Sequence, residues 1–132
     1  MPALPENGMI HQLSPYGMAE TVKRLESVLA SRGIPVMARI DHSEGAARVG
    51  LKMRPTEVIL FGNAKAGTPM MIGSPTLAID LPLKVLIWED EEQEVRVSYN
   101  SPEYLGQRHK VPDELLKNIS VIGAIVEETV GV

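Results

Sequence analysis

Two stripes of apolar residues at helical spacing bracket the chain and constrain its fold more than any other feature. Met18, Val22, Leu25 and Leu29 recur at intervals of three and four near the start. Leu115, Ile119, Ile122 and Val126 do the same near the end. Between them lie runs with strand character. Residues 9–13, 35–40, 58–61, 83–88 and 94–99 are apolar or alternate with period two. A helix with one apolar stripe must lay it on another element. Two long helices framing several strands therefore predict an α+β, two-layer domain. The expected order is β-α-β(4)-α, with a mostly antiparallel sheet and short helical inserts.

Local signals refine this outline. Ser14-Pro15 reads as the opening of the first long helix, and Gly33 as its stop. Asp41, with Glu44 three residues on, resembles a capping box for a short helix that ends at Gly50. The run 58–61 shows no alternation, so it is expected near the centre of the sheet with both faces covered. Thr68-Pro69 and Ser74-Pro75 each set a capping hydroxyl before a proline, predicting two short helices over 69–72 and 75–79. Asn100 and Ser101 precede Pro102 in the same way, and Pro112 opens the last helix. The run Glu89-Asp90-Glu91-Glu92 reads as a solvated turn between strands. Residues 1–8 read as a loose arm on a single domain spanning 1–132.

Composition excludes several functions. The 132 residues carry 13 Lys+Arg against 17 Asp+Glu, a formal net charge of -4. The basic residues are scattered, and aromatic residues make up 4%. Phosphate contacts need a basic face and base stacking needs aromatic platforms, so no nucleic-acid partner is expected. No apolar run approaches the ~20 residues that cross a bilayer, so no membrane partner is expected either. The absence of cysteine removes disulfides, thiolate metal sites and cysteine nucleophiles. The first residues lack a basic and apolar leader, which makes the cytoplasm the expected compartment.

Chemistry-bearing residues are sparse. Asp41 and His42 stand where a strand meets a helix and are candidates for acid–base work, as is Asp80 between Ile79 and Leu81. The alternative for Asp41 is a helix cap. His11, His42 and His109, with Asp41, Asp80 and Asp90, show no spacing that fixes a metal, so neither metal nor cofactor is expected. No Gly-x-Ser-x-Gly elbow surrounds Ser43, Ser74 or Ser98. The stretch 61–69 follows a strand and contains Asn63, Lys65, Gly67 and Thr68. Free amides at the helix start predicted there attract anions. Tyr99, Asn100 and His109 are further candidate ligand contacts. Met70 and Met71 suit either core filling or an adaptable surface.

Several ordered blocks carry a family resemblance. They are Ala38-Arg39-Ile40-Asp41-His42, Val49-Gly50-Leu51, Arg54-Pro55-Thr56-Glu57 and Phe61-Gly62-Asn63, then Gly67-Thr68-Pro69, Asp80-Leu81-Pro82-Leu83-Lys84 and Trp88-Glu89-Asp90. Ser98-Tyr99-Asn100, Tyr104-Leu105 and Arg108-His109 complete the series. Together they resemble the prokaryotic family named domain of unknown function 302. Relatives often carry proline after the Gly-Asn turn, where this chain has Ala64. The resemblance implies a fold like that of the TATA-binding protein, and implies little about activity.

Three functions follow as expectations. The first is binding of a small polar or anionic ligand, such as an anionic metabolite, near Asp41-His42 and residues 63–68. The second is an enzyme using Asp41, His42 and Asp80. The third is an interaction module that only dimerises. A homodimer is expected because both faces of residues 83–88 are apolar, with Trp88 and residues 70–72 at its interface.

Overall fold

A computed structural model describes residues 7–131. In chain order these form β1 (Met9–Ser14), α1 (Met18–Ser31), β2 (Val36–Asp41), α2 (His42–Arg48), β3 (Thr56–Phe61) and α3 (Ala64–Gly73). A 3-10 helix (Pro75–Asp80), β4 (Leu83–Glu89), β5 (Val95–Asn100), α4 (Pro102–His109) and α5 (Asp113–Val130) follow. With the short helices set aside, the order is β-α-β-β-β-β-α, as the sequence predicts. The strands build one antiparallel sheet in the order β1-β5-β4-β3-β2.

Register decides which residues meet. Thr56 to Phe61 run opposite Trp88 to Leu83, and Ile87 faces Val97. One face of the sheet therefore presents Ile59, Phe61, Val85, Ile87, Val95, Val97 and Tyr99. These close against Val22, Leu25 and Leu29 of α1 and Ile122, Ile125 and Val126 of α5. This is the α+β two-layer class, with both long helices on one face.

The ends of α1 show the local physics. Gly33 sits at φ +68, and the N–H groups of Gly33 and Ile34 bond the carbonyls of Ala30 and Leu29. That left-handed stop is the reason for a glycine there. The start differs from expectation: the helix begins at Met18, capped by Gly17, and Ser14 ends β1. The Ser14 hydroxyl instead meets the Thr21 hydroxyl at 2.7 Å, pinning β1 to α1.

Two further expectations are corrected. The run 58–61 lies near the centre of the sheet, beside its middle strand, as expected, but it is not covered on both faces. β4 holds the middle of the sheet, and burial in β3 alternates, with Ile59 and Phe61 buried and Val58 and Leu60 only half-buried. Unbroken apolarity here marks an open, greasy face. The short helices do not cover that face. Met70, Leu77, Leu105, Val111 and Ile119 form a second cluster, so α3, the 3-10 helix and α4 extend the α5 side of the molecule. The acidic turn is not wholly solvated either. Asp90 is buried, accepts the N–H groups of Glu92 and Glu94, and receives Arg96 Nε at 2.8 Å. The Arg96 hydrogen bond holds its carboxyl below the usual aspartate range.

Of the expected arm, residues 1–6 lie outside the described residues. The Gly8 carbonyl accepts the Ser101 N–H at 2.7 Å.

Candidate functional site

A cavity of about 400 Å³ opens where β3 gives way to α3, within the size range of small-molecule sites. The chain builds it from the turn outward. Gly62 has φ +151, a backbone state that favours glycine. Asn63 follows in extended conformation, and its Oδ1 accepts the Ala66 N–H at 2.8 Å. That cap starts α3 at Ala64, earlier than the helix over 69–72 that the sequence predicts. Thr68-Pro69 lies inside α3. An asparagine cap satisfies an end amide before the threonine is reached. The amides of residues 68–70 therefore do not stand at a helix start. Helical amides are occupied within the turn ladder, and Pro69 has no N–H to offer.

Phe61, Met70, Met71, Leu83 and Ile119 supply apolar wall, and Leu81-Pro82, joined by a cis peptide, closes one side. Asn63, Gly67 and Thr68 line the cavity as well, so three of the sequence candidates meet there. Lys65 does not line it and is exposed. Asn118 is a contributor the sequence reading missed. Its Nδ2 donates to the Ala66 carbonyl at 3.2 Å, tying α5 to α3. A lone amide inside an otherwise apolar helical stripe was the available signal. No acidic or basic side chain is among the lining residues.

The remaining candidates lie elsewhere. Asp41 and His42 border a polar groove with Arg39, Glu44, Arg48 and Glu57. Asp41 Oδ1 caps α2 by accepting the Glu44 N–H at 3.0 Å and also takes the Ser43 hydroxyl at 2.5 Å. The Ser43 hydrogen bond and the backbone N–H keep its carboxyl below the usual range. Asp80 joins neither hollow. Its Oδ2 meets His109 Nε2 at 2.5 Å and Arg108 at 3.1 Å, while His109 Nδ1 meets the Thr76 hydroxyl at 2.8 Å. His109 is thereby a buried tie between the 3-10 helix and α4. Tyr99 belongs to the main core, where burial pushes its phenol up. Asn100 ends β5 opposite Met9. Asp41, His42 and Asp80 thus do not share one hollow.

Trp88 and residues 70–72 do not share a surface. Trp88 shares with Leu86 the sheet face away from the long helices and donates its indole N–H to Ser98 Oγ at 2.9 Å. Met70 is buried against the second cluster, on the helix side. The β4 residue beside α3 is Leu83, five positions from Trp88, which is about 17 Å along a strand.

Residues 10–128 match the family model described as Domain of unknown function DUF302. The chain belongs to this family. Among solved structures, the DUF302 chain superposes on the "uncharacterized conserved protein DUF302 from Bacillus stearothermophilus" with a TM-score of 0.77. That match covers 93% of this chain and 95% of the other at 18% identity, and it speaks to fold alone. Among curated proteins, the DUF302 chain is similar to "Fluoride-specific ion channel FluC 1" of Brucella suis biovar 1 (strain 1330), 38% identical over 111 residues. It is equally similar to "Fluoride-specific ion channel FluC 1" of Brucella abortus biovar 1 (strain 9-941). The match covers 84% of this chain but 44% and 41% of those two proteins, so the chain spans less than half of their length. No helix among the described residues is long and apolar enough to cross a membrane.

Proposed function

We propose that this protein binds a small, neutral, mainly apolar molecule in the cavity beneath α3. The carrying observation is a 400 Å³ hollow whose lining includes Met37, Met70 and Met71 and no charged side chain. Methionines are adaptable and make favourable contacts with aromatic rings. A molecule there gains stability by losing contact with water, and the Asn63 and Thr68 side chains orient it at the mouth. The lining supports this chemistry better than an anion, since Lys65 stands outside. The TATA-binding-protein-like arrangement implied by the family belongs to the same proposal. Both long helices lying on one side of an antiparallel sheet support it.

Indole and toluene, with acetate and phosphate as anionic controls, test the reading by thermal shift. A probe that binds only the folded chain stabilises it by about 3 kcal/mol at a hundredfold excess over its Kd. Gly67 supplies the discriminating variant. A Cβ built there sits 3.6 Å from Leu81 and 3.7 Å from Met71, ordinary contact, so anything longer enters the hollow. Gly67→Leu is expected to fold and to lose the response to indole and toluene. Stabilisation by the anions alone, or an unchanged response in Gly67→Leu, overturns the proposal.

The names of the relatives support a second reading, that of a module working beside an anion channel. In that reading the membrane-crossing part of such proteins lies in the half this chain does not span. Sodium fluoride should then raise the melting temperature where equal sodium chloride does not. Equal curves dismiss direct fluoride recognition by this chain.

A further inference from the structure

We infer that Asn118 selects the ligand of the cavity under α3, admitting neutral apolar rings that carry an N–H or O–H donor. This specificity rests on the binding function proposed above and narrows it to one chemical class. Asn118 lies in α5 on the same helical face as Leu115 and Ile122, three and four residues away. Asparagine is a weaker helix former than leucine, because its amide competes with the backbone for hydrogen bonds. A leucine would continue the apolar stripe and add to the apolar wall of the hollow. Polarity at this position runs against both helix propensity and packing, and positions that break such local rules are where function is expected.

A single residue of α3 fixes both asparagine amides of the cavity. The Ala66 N–H donates to Asn63 Oδ1 at 2.8 Å. The Ala66 carbonyl accepts from Asn118 Nδ2 at 3.2 Å. Reversing either amide would set donor against donor or acceptor against acceptor, so both orientations are determined. Ala66, Asn63 and Asn118 all line the cavity. What each amide has left is of opposite kind. Asn63 keeps its NH2 group and Asn118 its carbonyl oxygen, and among the described residues neither group meets a partner. The two differ in weight. Asn63 is exposed at the mouth, where water competes for its donor, whereas Asn118 is half-buried. A ligand that displaces water from the Asn118 oxygen without offering a proton leaves that acceptor unpaired, which costs affinity. A ligand with an N–H or O–H satisfies it. A carboxylate brings acceptors only, sets oxygen against oxygen, and is refused on the same ground.

A pair of isomers makes the test. 3-Methylindole and 1-methylindole contain the same atoms and nearly the same apolar surface, but only the first has an N–H. In calorimetric titrations the wild-type chain is expected to bind 3-methylindole about tenfold tighter than 1-methylindole, the worth of one satisfied hydrogen bond. Asn118→Leu keeps an apolar wall and removes the acceptor. It should bind the two isomers equally and still bind toluene. A role confined to tying α5 to α3 would shift both isomers together and leave their ratio unchanged. Equal affinities for the isomers in wild type, with toluene bound, overturn this specificity and leave the cavity as an apolar binding site. An unchanged ratio in Asn118→Leu overturns it as well. Binding of neither isomer nor toluene overturns both readings. Should Asn118→Leu fail to fold, the wild-type ratio still decides.

Discussion

Phe61→Ala is expected to cost about 3–5 kcal/mol, on the order of ten degrees in melting temperature for a chain of this length. Phe61 is 1% exposed and belongs to the main core, yet it also lines the cavity under α3. Truncating it removes apolar contact from the sheet and merges the vacated volume with the hollow. The loss should appear in chemical and thermal unfolding alike. If the cavity is a binding site, the enlarged hollow should favour bulkier neutral probes such as naphthalene over toluene. A variant within 1 kcal/mol of wild type would mean that the helix layer collapses onto the gap, and that the cavity walls are soft.

The second large effect concerns Asp80. Asp80→Ala is expected to destabilise the protein by about 1–3 kcal/mol, because it strips a buried histidine of its hydrogen-bond acceptor. His109 is 9% exposed and spans from Thr76 to Asp80, with Arg108 on the same carboxylate. A double-mutant cycle between Asp80→Ala and His109→Ala reads the tie directly. Strong non-additivity is expected, since each residue serves chiefly to satisfy the other. Additive losses would show that the pair is not a structural unit, and would return Asp80 to the candidates for acid–base chemistry.

The parts of the fold legible in the sequence are those fixed by periodicity. The α1 and α5 stripes and the alternation of β5 each name one buried face, and all three are used as expected. Capping was half legible. Asp41 and Ser101 cap as their positions indicate, but Asn63 and Thr68 competed for one helix, and spacing alone does not rank them. The unbroken run 58–61 misleads for a different reason. Apolarity on the outer face records a need for cover without saying that this chain supplies it. The candidate site was legible only along the chain, where Asn63, Gly67 and Thr68 are near neighbours. Met37, Leu81 and Asn118 reach the same hollow from distant segments, and only tertiary packing brings them together.

The two apolar clusters have a consequence for motion. Leu83 packs against both, while Met70, Leu77 and Leu105 belong to the smaller one alone. The smaller cluster draws on one long helix and several short pieces, so its cooperative opening free energy lies below that of the sheet. Amides of α3 and the 3-10 helix then exchange with solvent through a partial opening that leaves β4 and β5 intact. The same event unroofs the cavity. A molecule bound there would enter and leave at the rate of that breathing, and by filling the hollow it would slow the exchange of the helices above it.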